Sequence, residues 1–203
     1  MENEVREKII RGALDLFIAQ GIKPVTMDKI ASSLTMSKRT LYEYFENKEA
    51  LVSACLLYFK EVNEKETNRL KASCNCSFSA LLVSFRYTIL MLRRINTNFI
   101  DDAKMMFPKR FEQAKMSREA LCESFRTYIE KSQSEGHIKP EYSAQVLAEL
   151  YYNMLFSLQE KGTYDLREQS ISEVLYTVCK VFFRGVATEE GYEMIKEYLE
   201  VEV

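Results

Sequence analysis

Residues 26–45 read TMDKIASSLTMSKRTLYEYF, which has the spacing of two short helices joined by a tight turn. Thr26 and Ser37 belong to the residue types that cap helix N-termini, because a hydroxyl oxygen accepts a hydrogen bond from an unpaired backbone N–H. The apolar positions that would face a shared core are Ile30, Ala31, Leu34, Leu41 and Phe45. The pattern predicts a helix-turn-helix, although an ordinary helical hairpin fits the same spacing.

The charge around these two helices is locally positive. Residues 23–48 hold five basic and three acidic side chains, a balance of +2, whereas the whole chain has 28 Lys and Arg against 30 Asp and Glu, a net charge of −2. This total excludes a protein that is basic throughout, but it allows one basic patch. Lys38 and Arg39 add to the positive end of the second helix dipole, where a phosphate would bind.

The remainder of the chain is also predicted to be helical. Its 203 residues include only 6 Gly and 3 Pro, too few for the frequent turns of a β-sandwich or barrel. Pro140 is expected in the first turn of its helix. The apolar spacing predicts helices over 4–19, 48–70, 78–95, 97–107, 109–135, 140–161, 169–186 and 188–200.

A family resemblance rests on residues 37–45, SKRTLYEYF, on residues 47–51, NKEAL, and on a preceding helix. That helix carries Ile9, Ala13, Leu14, Leu16 and Phe17 and ends before Gly21. Together these residues closely resemble the N-terminal DNA-binding domain of TetR-family transcriptional regulators, over about residues 5 to 52. The resemblance implies an all-α protein, with a three-helix helix-turn-helix domain at 1–47 joined to a larger helical ligand-binding and dimerisation domain at 48–203.

Carried over position by position, the resemblance makes Thr26 and Lys48 phosphate contacts. The residues that it places towards the DNA groove, with Ser37 at the helix start, are Lys38, Arg39, Thr40, Tyr42 and Tyr44. The usual turn glycine of the family is Thr35 here, and a β-branched residue is unfavourable at positive φ. The turn is therefore either not left-handed at Thr35 or strained. Arg39 stands where a small residue is more common, so it either adds a DNA contact or lies in solvent.

A sensor domain needs a mostly apolar pocket with a few polar groups. The segment 85–111 and the helix 140–161 hold a surplus of aromatic residues and methionines, so we expect a largely apolar small-molecule effector between them. Taken singly, such residues are more often plain core. The candidate ligand-binding residues are Tyr87, Met91, Phe99, Met106, Phe107, Tyr151, Asn153 and Met154.

The helices at 140–161 and 169–186 are apolar on more than one face. One stripe would cover one core, so the wider apolar surface predicts a second subunit. The resemblance implies a four-helix interface of these helices across a two-fold axis. The candidate interface residues are Leu147, Tyr151, Leu155, Val178 and Phe182.

Several classes of site are not predicted. The only histidine, His137, is expected in a solvent-exposed turn, and Cys74-Asn75-Cys76 lacks a second pair that would complete a zinc site. Asp101 and Asp102 are interpreted as a solvated surface pair. We expect no catalytic residues, no metal and no cofactor.

The sequence also lacks the signals of a membrane or secreted protein. No apolar run approaches the roughly 20 residues of a membrane span, and the charged N-terminus does not resemble a signal peptide. Five scattered cysteines favour reduced thiols. The expected location is cytoplasmic, with no membrane partner.

The function predicted is a homodimeric repressor, released from palindromic double-stranded operator DNA by a small apolar ligand. The alternatives are a helical interaction adaptor that does not bind DNA, an enzyme with an apolar active site, and a regulator without an inducer. The choice between repressor and activator stays open at this point.

Overall fold

The computed structural model describes residues 2–109, 118–157 and 170–199. Within these ranges the chain forms ten helices, and the only β-structure is an isolated antiparallel pair between Ile138 and Ala187. This confirms the all-α prediction. The helices are α1 (Glu2–Gln20), α2 (Met27–Ser33), α3 (Lys38–Tyr44), α4 (Lys48–Ala72), α5 (Ser77–Arg94), α6 (Thr97–Met106), α7 (Arg118–Ser134), α8 (Ala144–Ser157), α9 (Ile171–Val186) and α10 (Glu189–Tyr198).

Side-chain caps set several of these helix ends. Ser170 and Glu173 form a reciprocal capping box at the start of α9, and Thr188 caps α10. The prediction for Pro140 was wrong, because Ser143 caps α8 and the helix begins at Ala144. Two predicted helices extend beyond the described residues. These are the helix at 109–135, of which 110–117 are not described, and the helix at 140–161, of which 158–161 are not described.

The chain divides into two compact units, and the first comprises residues 1–66 and 94–112. It contains the segment 1–47 that the sequence separates, together with the first part of α4 and all of α6. Its core is built from buried side chains of α1, α2, α3, α4 and α6. The fully buried large residues of this unit are Ile9, Phe17, Ile22, Ile30, Leu41 and Leu51.

The second unit comprises residues 67–93 and 113–203. Its core is dominated by aromatic rings from α5, α7, α8 and α9. Phe125 stacks on Tyr151 with ring centroids 4.6 Å apart, and Phe85 meets Tyr151 at 5.0 Å. Among the described residues, no helix is long and apolar enough to cross a bilayer.

Candidate nucleic-acid interface

The helices α2 and α3 are fixed by their own caps. Thr26 Oγ1 accepts a hydrogen bond from Lys29 N at 3.2 Å, and Ser37 Oγ accepts one from Thr40 N at 3.0 Å. The Thr26 hydroxyl also has a hydrogen that it can donate to a DNA phosphate, whereas the Ser37 hydroxyl lies 2.9 Å from Thr40 Oγ1, and either oxygen can donate in that bond. The two predicted caps are therefore confirmed, and each hydroxyl stands at the positive end of a helix.

The turn between α2 and α3 is left-handed at Thr35, where φ is +53°. Thr35 N donates to Ser32 O and Met36 N donates to Ala31 O, at 3.2 and 3.0 Å. This pair of bonds is a Schellman motif, in which the left-handed position is usually glycine. Of the two alternatives raised by the sequence, strain at Thr35 is the one that the structure supports, because a β-branched side chain is crowded at positive φ.

The side chains of α3 divide between core and solvent. Leu41 is fully buried and the following Phe45 nearly so, and together they seat the helix on the core of its unit. Tyr44 is half-buried and packs against the same core. The outward residues are Lys38, Arg39, Tyr42 and Glu43, with Thr40 half-exposed.

Two of these outward cations are paired with carboxylates on the protein surface. Lys38 Nζ lies 2.6 Å from Asp28 Oδ1 on α2, and Arg39 Nε lies 3.2 Å from Glu43 Oε1 one turn along α3. All four side chains are more than half exposed, so these pairs contribute little stability and can exchange partners. A phosphate that approaches α3 therefore competes with Asp28 for Lys38.

Lys48 is held against the loop that leads into α2. Its ammonium donates to the backbone oxygen of Lys23 at 3.1 Å, and desolvation lowers the pKa of Lys48, with the charge of Asp102 opposing that change. An ammonium has three donor hydrogens, so this bond leaves others for a phosphate. The lysine is thus positioned beside the start of α2.

Asp102, on α6, holds the same loop from the other side. Its Oδ2 accepts hydrogen bonds from Ile22 N at 3.0 Å and Lys23 N at 2.8 Å, and its Oδ1 lies 3.3 Å from Lys23 Nζ. Burial raises the pKa of Asp102, but the hydrogen bonds from Lys23 and Ile22 and the Lys23 charge outweigh it, so the pKa lies below its usual range. The prediction of a solvated carboxylate was wrong for Asp102, which is buried.

The comparisons with known proteins agree with this geometry. Residues 9–55 match the family described as bacterial regulatory proteins of the tetR family. Over these residues the chain is similar to the DNA-binding domain of the TetR family of transcriptional regulators. The match confirms the resemblance that the sequence carries over about residues 5 to 52.

Curated relatives and solved structures extend the likeness beyond α4. The uncharacterized regulator YerO of Bacillus subtilis is 29% identical over 64% of this chain and 50% of its own length. IcaR of Staphylococcus aureus, a negative transcriptional regulator of a biofilm operon, is 26% identical over 46% of this chain and 55% of its own length. The chain thus spans about half the length of these two relatives. A transcriptional regulator from Cytophaga hutchinsonii has the same fold, with 24% identity, a TM-score of 0.64, and coverage of 90% of this chain and 98% of that one.

The residues proposed to line an effector pocket fall into both units of the chain. Phe99 is buried in the first unit, and Met106 and Phe107 pack against the same core. In the second unit Tyr151 is fully buried and Met154 packs against its core, while Tyr87 and Met91 are half-buried and Asn153 is exposed. Burial raises the pKa of Tyr151 well above its usual value, and its hydroxyl lies 3.5 Å from Cys179 Sγ. The pocket stays a prediction.

The residues proposed for the dimer interface lie on the inner side of α8 and α9. Leu147, Tyr151 and Phe182 are buried in the core of their own unit, so they have almost no surface to offer a partner. Leu155 and Val178 are half-buried. The interface stays a prediction. Among the described residues of the two helices, the exposed large apolar side chains are Val146, Leu150 and Val181, which are 60%, 50% and 68% exposed.

Proposed function

We propose that the chain acts as a homodimeric transcriptional repressor that inserts α3 into the major groove of a palindromic operator. The observation that carries this proposal is the division of α3, in which Leu41 and Phe45 anchor the helix while Lys38, Arg39 and Tyr42 project outward. A short helix anchored on one side and polar on the other is the form that enters a groove about 12 Å wide. IcaR, a relative, is described as a negative regulator, which favours repression over activation here.

In this proposal, contacts to phosphates set the position of α3, and contacts to bases select the sequence. Thr26, at the start of α2, and Lys48, at the start of α4, clamp the backbone on the two sides of the recognition helix. Tyr42 faces the groove with Lys38 and Arg39, and the half-exposed Thr40 and Tyr44 reach it from the edges of the helix. A dimer places its two copies of α3 about 34–36 Å apart, so that both enter the same face of the DNA.

The proposed dimer surface is formed by Val146, Leu150 and Val181. Val146 and Leu150 are four residues apart on α8 and therefore share one side of that helix. Large apolar side chains at this exposure are unfavourable in water unless something covers them. In a dimer with a two-fold axis, these three side chains of one copy would pack against the same three side chains of the other.

Release from DNA requires that a ligand prefer a conformation in which α3 is misplaced. Asp102 offers a route for that coupling inside the first unit. It joins α6 to the loop at Ile22 and Lys23, and Lys48 binds the same loop from α4. A shift of α6 would therefore displace both the start of α2 and Lys48, which are proposed phosphate contacts. The proposed effector is a small and largely apolar molecule, and the proposed location of the protein is the cytoplasm, where operator DNA is accessible.

The test is selection of a binding sequence from random duplex DNA, followed by affinity measurements over a salt series. Lys48→Ala should weaken binding to all sequences and lower the salt slope by roughly 0.9 for each lost phosphate contact. Tyr42→Phe should weaken binding to the selected sequence. Lys60→Ala is the matched control, because Lys60 is an exposed lysine of the same helix placed about 18 Å further along it. If the Lys48 and Tyr42 variants bind as the wild type does, the proposed interface is in the wrong place.

A further inference from the structure

A cysteine, a glutamate and the single histidine come together in the second unit, whereas the proposed DNA interface belongs to the first. Cys76 precedes α5, and Glu135 and His137 lie in the turn after α7. One potential ligand atom from each residue lies within 4.8 Å of the other two. The three residues come from two segments about 60 positions apart in the sequence, so the fold, and not local spacing, assembles them.

His137 is held rigidly and with one ring nitrogen unsatisfied. Its side chain is 11% exposed, which corrects the prediction of a solvent-exposed turn residue. The ring stacks on Phe78 with centroids 6.2 Å apart and planes 13° from parallel. Nδ1 is buried and has no hydrogen-bond partner among the described residues; the nearest carboxylate oxygen, Glu135 Oε2, is 3.7 Å away. A buried imidazole nitrogen without a partner is costly unless its lone pair or hydrogen is used.

The backbone around His137 is also fixed. Thr188 N donates to His137 O at 3.1 Å, and any Cβ at Gly191 on α10 would collide with that same oxygen. The position of the ring is therefore set by α5, by the turn after α7 and by the start of α10. Such pre-positioning favours binding, because little ordering remains to be done when a ligand arrives.

The other two side chains are positioned by hydrogen bonds at the start of α5. Cys76 Sγ accepts from Ser79 N at 3.4 Å, and the carboxylate of Glu135 accepts from Ser77 N and Ser77 Oγ at 2.8 and 2.9 Å. A carboxylate oxygen has two acceptor positions and a thiolate sulfur can accept beside a metal bond. These bonds orient both groups and leave each able to coordinate an ion.

We propose that Cys76 Sγ, a carboxylate oxygen of Glu135 and His137 Nδ1 form a three-ligand site for Zn²⁺. Mixed sulfur, nitrogen and oxygen donors suit this borderline-soft ion, and three protein ligands leave the fourth tetrahedral position to water. With Zn–S about 2.3 Å and Zn–N and Zn–O about 2.0 Å, tetrahedral ligand atoms lie roughly 3.3–3.5 Å apart. The 3.7 Å between Nδ1 and Oε2 is close to this value.

A fourth residue completes the arrangement from outside the ligand set. Glu190 Oε1 lies 3.6 Å from His137 Nε2, on the opposite side of the ring from Nδ1. A carboxylate at the second nitrogen of a metal-bound histidine keeps the hydrogen on that nitrogen and leaves the first one free to coordinate. On binding, the Cys76 thiol gives up its proton to the solvent, and the ion with one thiolate, one carboxylate and a neutral imidazole is neutral overall.

The experiment uses the full chain without an affinity tag, reduced and stripped with a chelator, and titrates it with Co²⁺ as a coloured substitute for Zn²⁺. The wild type should bind one Co²⁺ per chain with an intense thiolate-to-metal absorption band, and Zn²⁺ should abolish the band by displacement. Cys76→Ser should remove the band. Cys74→Ser is the matched control, because this neighbouring thiol lies outside the cluster, and the variant should keep it.

Two further variants examine the histidine. His137→Phe retains a ring to stack on Phe78 but has no nitrogen, so it should lose the tight binding of both ions. Glu190→Gln should bind Zn²⁺ about 10-fold or more weakly, as expected for a second carboxylate that only orients the histidine. Far-UV circular dichroism and thermal unfolding in chelator establish that each variant is folded. Absence of the band in the wild type, its survival in Cys76→Ser, or its loss in Cys74→Ser would overturn the site, whatever the outcome for DNA binding.

Discussion

Helix α3 and the aromatic core of the second unit contrast in how much of their role the sequence reveals. Six of the seven residues of α3 carry polar groups, and the two buried positions, Leu41 within the helix and Phe45 just after it, are fixed by the helical period. In the second unit, Tyr151 contacts the rings of Phe85, Phe125 and Phe182. Many of the apolar residues that suggest a pocket or an interface are buried in the core of this unit.

The difference follows from chemistry. A polar outward face is ordinary for a surface helix, so in α3 the helix-turn-helix spacing and the family match are what point to a partner. An aromatic side chain gains free energy in a core, in an interface or around a ligand by the same burial. The sequence pattern therefore makes a more specific prediction of function in the first unit than in the second.

The largest expected effect tests this contrast on two adjacent residues of α9. Phe182 is 6% exposed and Val181 is 68% exposed. Phe182→Glu should destabilise the second unit by about 5 kcal/mol or more, because it removes a core ring and buries a charge. Val181→Glu should change the free energy of unfolding of the monomer by less than about 0.5 kcal/mol and yet convert the proposed dimer to a folded monomer.

Urea unfolding and light scattering after size exclusion measure the two effects separately. A folded Phe182→Glu monomer would return the interface to the buried face that the sequence suggested. If the Val181→Glu protein remains dimeric, the exposed face of α8 and α9 is not part of the interface.

The contrast also explains which parts of the structure could be predicted. The helical class, the caps at Thr26 and Ser37 and the buried Leu41 depend on neighbours a few residues away, so local pattern sufficed. Asp102 accepts from a backbone N–H 80 positions earlier in the chain, and nothing next to it in the sequence signals that bond. The exposure of His137 was predicted wrongly for the same reason, because the ring that stacks on it belongs to Phe78, which is distant in the sequence.

The second prediction concerns Asp102, whose role only the tertiary structure reveals. Asp102→Asn should destabilise the first unit by about 2 kcal/mol at neutral pH, because the bonds from Ile22 N and Lys23 N then reach a neutral oxygen instead of a charged one. The Lys23 ammonium is well exposed, so the ion pair itself adds little. Chemical unfolding at pH 7 measures the change, and Asp101→Asn, in the exposed neighbour, should have almost no effect.

The pH dependence gives an independent check of the same residue. The pKa of Asp102 is lowered in the folded protein, so its contribution is complete above the unfolded-state pKa of about 3.9. It is lost as the pH falls through the lower folded-state value. Stability of the wild type should therefore fall more steeply below about pH 4 than that of Asp102→Asn. If the stability of the wild type and that of Asp102→Asn fall equally steeply in acid, Asp102 is not the group responsible.

The third prediction addresses the exposed side of α3. Asp28→Asn should tighten DNA binding about 5-fold at low salt, since it frees Lys38 and removes a negative charge beside the phosphates. The gain should shrink as ionic strength rises, and stability should hardly change because the Lys38–Asp28 pair is exposed. Fluorescence anisotropy with labelled duplex measures the affinity, and Asp15→Asn, an exposed acid on α1, serves as the control. An equal gain in both variants would make the effect one of net charge alone.

The smallest expected effect lies in the turn that links α2 to α3. A threonine at φ +53° stores backbone strain that glycine would release, while glycine also raises the entropy of the unfolded chain. The two terms oppose each other, so Thr35→Gly should raise the free energy of unfolding by no more than ~1 kcal/mol. Thr35→Ala removes the β-branch but keeps a Cβ, and it should fall between the wild type and the glycine variant. Thr35 makes no predicted DNA contact, so affinity for the operator should be unchanged in both. Denaturant unfolding of the three proteins ranks their free energies of unfolding. If the glycine variant is less stable than the wild type, the threonine side chain stabilises this turn by more than its backbone strain costs.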